Sequence, residues 1–325
     1  QLYRAETPGP VKDNKMTPRI ADTAKHLWYI YLSITIACAG AYWLAGMSVF
    51  DAICHSFSTV AIGGFSNHDA SLGYFNSPMV NVVCTVFLLI AALNFSLHYA
   101  AVSSRSVKGY FKDPEFKAFF IIQASLIGIC FLVLTLSGYY TSAEQALDQA
   151  MIQAVSISTT AGFATTDFSI WPTFLPIMLI FSSFIGGCAS STGGGLKVVR
   201  VCLLFLQGKR EVDRLIHPKA VYSVKFGDRA MPDRVVEAVW GFFSAYAVVF
   251  VVLMIGLIAT GLDNLSAFTA TAAMLNNLGP GLGSVAANYA DVTDAGKWIL
   301  VTGMVFGRLE VFSLLVLFSP TFWRS

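Results

Sequence analysis

Stretches of eighteen or more uncharged, mostly apolar residues recur along the chain, among them 27–44, 79–97 and 118–136. At 1.5 Å of rise per residue each is long enough to cross a hydrocarbon layer of about 30 Å. A backbone in that layer must satisfy its own hydrogen bonds, so such segments are helices. Charge supports the reading: 12% of the 325 residues are charged and 55% are hydrophobic, about half the charged share of a soluble domain. The expected fold is an all-α polytopic membrane protein. The chain opens on Gln1 with no charged region ahead of a short apolar one, so no signal peptide is expected and the sequence reads as a fragment without its beginning.

One pattern occurs three times: a long apolar span, a shorter segment, a glycine-containing turn, and a second long span. The first copy runs 27–44, 49–58, the turn Thr59-Val60-Ala61-Ile62-Gly63-Gly64-Phe65-Ser66, then 79–97. The second runs 118–136, 143–158, the turn Thr159-Thr160-Ala161-Gly162-Phe163-Ala164, then 174–206. The third runs 235–259, 265–275, the turn Asn276-Asn277-Leu278-Gly279-Pro280-Gly281, then 298–318. The short segments reach about half way across a bilayer and read as re-entrant half-helices. The expected units are a lead segment 1–26, repeats at 27–100, 118–207 and 235–325, and connections at 101–117 and 208–234.

Positive charge is concentrated on one side of this arrangement. Arg105, Lys108, Lys112, Lys117 and the stretch 209–234 fall on the side where the repeats begin and end. The half-helix side holds Lys297 against Asp69, Glu144, Asp148, Asp167, Asp263, Asp291 and Asp294. The positive-inside rule makes the basic side cytoplasmic, and the acidic face would concentrate cations at the mouth.

A cation leaving water needs a ring of oxygens, and backbone carbonyls of small residues can supply it. Gly64, Gly162 and Gly279 end the three half-helices in matching positions. Asp51, Glu144 and Asp263 lie near the half-helix starts, where carboxylates favour the positive end of the dipole. A single such glycine is more simply a turn residue, but three in register point to a selectivity filter. Its candidate oxygens belong to Ile62, Gly63, Gly64, Thr160, Ala161, Gly162, Asn277, Leu278 and Gly279.

These turns resemble the filter loops of the Trk/Ktr/HKT superfamily of potassium transporters, closest to the bacterial TrkH-type membrane subunits. The similarity extends through Ile185-Gly186-Gly187-Cys188-Ala189-Ser190-Ser191-Thr192-Gly193-Gly194-Gly195-Leu196-Lys197 and Phe306-Gly307-Arg308-Leu309-Glu310-Val311-Phe312. The resemblance implies four pore repeats, of which this chain holds the second to fourth, and K+ as the transported ion at filter carbonyls. It also implies a bacterial inner-membrane location, a homodimer of pore subunits, and a cytosolic nucleotide-binding regulatory ring of the TrkA type. No other cofactor, no enzymatic activity and no nucleic-acid partner is expected.

Two features inside the spans bear on control. The run Gly186, Gly187, Gly193, Gly194, Gly195, with Ser190, Ser191 and Thr192 between, cannot be a stable helix interior. It is either a loop lining the conduction path or a site of close helix packing; the resemblance implies a gate beneath the filter. The run does not meet G-x-x-x-x-G-K-[ST], since Leu196 precedes Lys197 and Val198 follows it. Arg308 lies inside the last span, where a charge is costly. It is either a cation beneath the filter, as the family implies, or the partner of Glu310 or Glu237.

The five histidines and six cysteines form no ligand set, and the cysteines read as small apolar residues. Trp28, Tyr42, Trp43, Trp171, Trp298 and Trp323 read as interfacial belt residues. The stretch 209–234 reads equally as a docking surface for the ring or as an ordinary positive-inside loop. A membrane-embedded enzyme lacks its motifs here, since neither H-E-x-x-H nor G-x-S-x-G occurs. A structural subunit without a pore would leave the three half-helices unexplained.

Overall fold

Short polar side chains fix where the helices begin. Ser48, Asp113, Ser142, Asp263 and Thr293 each accept a hydrogen bond from the backbone N–H three residues on, satisfying a donor that the first turn leaves free. Pro78, Pro114 and Pro176 occupy first turns, where the missing N–H costs nothing. In the computed structural model, residues 20–317 and 320–323 are described.

The elements are α1 (Ile20–Leu44), α2 (Val49–Val60), α3 (Pro78–Ala91), α4 (Phe95–Ser104), α5 (Lys108–Lys112), α6 (Pro114–Leu136), α7 (Ala143–Ser158), α8 (Leu175–Ser183) and α9 (Val198–Ile216). A two-residue hairpin, β1 (Lys225–Phe226) with β2 (Arg229–Ala230), leads into α10 (Asp233–Ala259), α11 (Asn264–Leu275), α12 (Asp294–Arg308), α13 (Val311–Leu317) and α14 (Pro320–Trp323). Ala24–Leu44, α6 and α10 are each long and apolar enough to cross a membrane. The helices α2, α7 and α11 have 12, 16 and 12 residues, about 18 to 24 Å at 1.5 Å per residue.

The packing repeats with the sequence. Each short helix lies against the long helix before it and the helix after it: α2 on α1 and α3, α7 on α6 and α8, α11 on α10 and α12. In addition, α7 packs on α3 and α11 on α8, so each later short helix is walled by the outbound helix of the preceding unit. Alanine, serine and threonine dominate the buried faces of α7 and α11, which lets three neighbours approach closely. The apolar face Val49, Phe50, Ile53 and Phe57 of α2 is exposed. So is the face Trp298, Val301, Met304 and Val305 of α12.

The structure corrects several expectations. The span 79–97 is two helices, α3 and α4, meeting at 89°. Asn94 accepts from the Ser96 N–H at 2.8 Å and starts α4, while the Ala92 carbonyl accepts from the Cys188 N–H at 2.8 Å. The break is thus capped on one side and tied to the glycine-rich loop on the other. The last span also breaks, at Leu309–Glu310, with Glu310 at φ +56°. Tyr42 and Trp171 are core residues, 0% and 3% exposed, not belt residues; Tyr42 shares a hydrogen bond with Thr59 at 2.7 Å. All six cysteines are free; four are buried, and Cys54 and Cys202 are half-buried.

Because the Asn94 side chain supplies the only hydrogen-bonding cap of α4 among its described contacts, Asn94→Ala should destabilise the protein by about 1 kcal/mol. A thermal melt in detergent followed by tryptophan fluorescence would check this, and an unchanged midpoint would show the bend to be held by packing alone.

Candidate ion pathway

The three half-helices end in the same hydrogen-bond pattern. The N–H groups of Gly63, Ala161 and Leu278 reach back to the carbonyls of Ser58, Ser156 and Ala273, while those of Ile62, Thr160 and Asn277 reach Thr59, Ile157 and Met274. This is a Schellman ending, which needs its last residue in the left-handed region. Ile62, Thr160 and Asn277 accordingly have φ of +52°, +69° and +56°. Two residues on, Gly64, Gly162 and Gly279 are again positive, at +67°, +86° and +101°. Alternating the sign of φ lets successive peptide planes face the same way, whereas a pleated strand alternates them.

The turns stand side by side. A Cβ on Gly64 would lie 1.9 Å from the Ala161 oxygen, and one on Gly162 would lie 2.2 Å from the Leu278 oxygen. Each of these glycines is therefore fixed twice, by its φ and by the carbonyl of the next turn. Gly279, with the same φ sign, has no described atom within 4 Å of that position.

Buried polar side chains hold the segments that leave the turns. His55 is fully buried, with Nδ1 bonded to the Asp51 carbonyl at 2.8 Å and Nε2 paired with Ser66 Oγ at 2.9 Å. Gln153 donates to the Thr166 carbonyl at 3.1 Å. Thr269 Oγ1 accepts from the Leu282 N–H at 3.0 Å, and Ser266 Oγ from the Ser284 N–H at 2.8 Å. Tyr289 donates to the Gly279 carbonyl at 2.7 Å. These positioning residues escaped the sequence reading; for His55, Gln153, Ser266 and Thr269 the one signal was a polar residue inside a half-helix, and Tyr289 gave none.

At the half-helix starts, Ser48, Asn67 and His68 hydrogen bonds hold the Asp51 carboxyl below the usual carboxylate range. Hydrogen bonds from Ser266 do the same for Asp263. Both groups are therefore negative at neutral pH.

The glycine-rich segment, residues 184–197, passes under all three turns. Thr192 Oγ1 donates to the Val60 carbonyl at 2.9 Å, and the Gly194 N–H donates to Thr160 Oγ1 at 2.7 Å. Cβ atoms on Gly193 and Gly194 would lie 2.8 Å from the Thr159 oxygen and 2.0 Å from the Asn276 oxygen. The two legs bond to each other, Leu196 N–H to the Phe184 carbonyl at 2.8 Å and Val198 N–H to the Gly187 carbonyl at 3.0 Å. Gly186 and Gly195 meet where the legs cross. Lys197 donates to the Gly193 carbonyl.

Below the segment lies a cavity of about 430 Å³ whose walls include Asn277, Lys197, Arg200, Arg308 and Glu310. Arg308 Nη1 points at the Thr192 carbonyl, 3.4 Å away. Among the described ion pairs Glu310 is joined to Arg200, at 2.8 Å, and Arg308 is joined to neither Glu310 nor Glu237. The Arg200 guanidinium is buried and stacks over the Phe242 ring, 4.3 Å from its centroid. Glu310 neutralises the arginine that enters with α9, leaving Arg308 on the cavity wall. Among the described residues no His, Cys, Asp and Glu cluster suited to a metal ion occurs.

Half-helices ending in strained, glycine-packed turns, within a predominantly helical membrane-spanning frame, define a class of membrane transport proteins. The chain matches the TrkH family, described as a cation transport protein, over residues 1–325. It is 67% identical over 327 residues to the Trk system potassium uptake protein TrkH of Vibrio parahaemolyticus, covering 100% of this chain and 67% of that protein. It is 61% identical over 325 residues to TrkH of Escherichia coli K12 and 41% identical over 325 residues to TrkG of the same strain, with the same coverage. The crystal structure of the potassium transporter TrkH from V. parahaemolyticus superposes with a TM-score of 0.91 at 66% identity, covering 96% of this chain and 67% of that one. The chain belongs to the TrkH family of cation transport proteins, and it is not an enzyme.

Removing Arg200 strands Glu310, which is itself a quarter exposed, so Arg200→Met should cost about 2 kcal/mol, less than a fully buried pair. The double variant Arg200→Met, Glu310→Met should recover most of that loss. A double-mutant cycle on unfolding midpoints measures it, and additive effects would deny the coupling.

Proposed function

We propose that this chain supplies three of the four pore repeats of a potassium uptake protein, with K+ held by carbonyl oxygens of residues 62–64, 160–162 and 277–279. The observation that carries the proposal is the threefold recurrence of one backbone conformation, each glycine of the first two turns abutting the oxygen of the next. Carbonyl dipoles at the C-terminal ends of the half-helices face the ion with their negative side. The half-helix starts, with Asp51 and Asp263 ionised, form the outer mouth and raise the local cation concentration.

In this reading residues 186–195 are the gate. They lie across the exit of the filter, and Arg308 beside them adds a fixed positive charge. At about 6 Å and an effective dielectric of about 20, that charge raises the energy of a passing cation by roughly 3 kcal/mol. The basic side is cytoplasmic, in a bacterial inner membrane, and the working assembly is a homodimer under control of a cytosolic nucleotide-binding ring. Arg210 is a poor candidate for contact with that ring, because it is buried and bonded to Asp233 at 2.6 Å. Arg214, Lys209 and Lys219 are exposed on the same side.

In the full-length transporter, Gly162→Ala should lower the rubidium-to-sodium uptake ratio at least severalfold, since its Cβ meets the Leu278 carbonyl. Unaltered selectivity in a well-assembled variant would remove the filter assignment. Arg308→Ala should raise rubidium flux in the absence of the regulatory ring while sparing that ratio; unchanged or lower flux would take Arg308 out of the gate. Arg214→Glu should weaken co-purification of the ring without lowering the unfolding midpoint.

A further inference from the structure

Glu115, in the first turn of α6, is a carboxylate 3% exposed with no basic partner among its described hydrogen bonds. Its Oε1 accepts two backbone N–H groups, Ala189 at 2.7 Å and Val199 at 3.2 Å. Those residues stand at either end of the segment that contains Ser190, Gly193, Gly194 and Lys197. A single oxygen therefore fastens both legs of the loop under the filter turns.

The chemistry explains why an acceptor is placed there. Val199 lies in the first turn of α9, whose first N–H groups have no partner within the helix. The residue at its N-cap is Lys197, which makes no side-chain cap hydrogen bond. Glu115 supplies that acceptor from another helix. Next to it, Pro114 is pressed by the hairpin between β1 and β2: a Cβ on Gly227 would come within 3.0 Å of the Pro114 ring. The hairpin belongs to the basic connection 208–234, so a chain of direct contacts runs from that connection through Pro114 and Glu115 to the loop.

We propose that Glu115 is the positioning residue that latches the loop residues 186–195 across the pathway, and that the hairpin at Gly227 is where a displacement on the cytoplasmic side reaches this latch. The proposal rests on the reading of that loop as the gate. With the latch broken, the loop leaves the filter exit more often, so basal flux rises while the filter itself is untouched.

The test uses the full-length transporter in proteoliposomes without the regulatory ring. Glu115→Ala should raise rubidium flux at least about tenfold, since two hydrogen bonds are lost, with the rubidium-to-sodium ratio unchanged. Glu115→Gln keeps an oxygen acceptor for the same two N–H groups, so its flux should lie near the parent's and well below that of Glu115→Ala. Cys188, 1% exposed and next to Ala189, supplies a reporter that a purely structural role would not move. With every other cysteine replaced, Glu115→Ala should make Cys188 react about tenfold faster with a membrane-impermeant thiol reagent.

Unchanged or reduced flux with Cys188 still protected overturns the latch. Arg308→Ala measured alongside separates the two readings: if it raises flux and Glu115→Ala does not, the latch alone fails, and if neither raises flux the gate reading fails with it. Should Glu115→Ala not assemble, Glu115→Met, which fills the same volume without an oxygen acceptor, decides: parental flux and parental Cys188 protection in that variant would overturn the proposal.

Discussion

The structure turns on the fate of backbone carbonyls at membrane depth. A peptide oxygen without a partner is expensive in an apolar layer, and a helix that stops half way leaves four of them. Here the Schellman endings satisfy some, and the glycine-rich segment is laid against the rest, with Thr192 bonded to the Val60 carbonyl and Gly193 and Gly194 packed on the Thr159 and Asn276 oxygens. Among the carbonyls further along the turns, that of Gly279 accepts from Tyr289; in the proposed filter this stretch of backbone faces the ion. Stopping the helix frees the oxygens, and the loop covers several of them.

That demand explains the placement of glycine. Gly64 and Gly162 have both a left-handed backbone and a neighbour's oxygen where a side chain would begin, so they join one repeat to the next. Gly193 and Gly194 face oxygens of half-helix ends, so they join the loop to the repeats. Charge follows a similar economy. Arg200 and Glu310 cancel across a buried pair, Lys197 is folded back on the Gly193 carbonyl, and Arg308 is left on the cavity wall beside Thr192.

The half-helices were legible in the sequence because they are punctuated: an acidic or hydroxyl residue at the start, a glycine at the end, and a length too short to span. The interruption at 184–197 was legible because five glycines forbid a helix. Other features depend on partners far along the chain. The bend at Asn94 turns on one polar residue and on Cys188, Arg200 meets Glu310 across 110 positions, and Glu115 finds Ala189 only through the fold. Nothing local distinguishes Tyr42 or Trp171 from aromatic residues at a lipid interface, yet both are core. The signal for His55, Gln153 and Thr269 was a polar side chain in an apolar half-helix, which periodicity alone assigns to no role.

Because α7 rests on α3 and α11 on α8, each later half-helix needs a wall that an earlier stretch of chain supplies. During synthesis that wall is already inserted when the half-helix emerges, so the re-entrant segment can be seated as it leaves the insertion machinery. The order of the repeats is thereby also an order of assembly. A half-helix moved ahead of its wall in the chain would emerge with its polar end facing lipid, where unsatisfied backbone groups are costly.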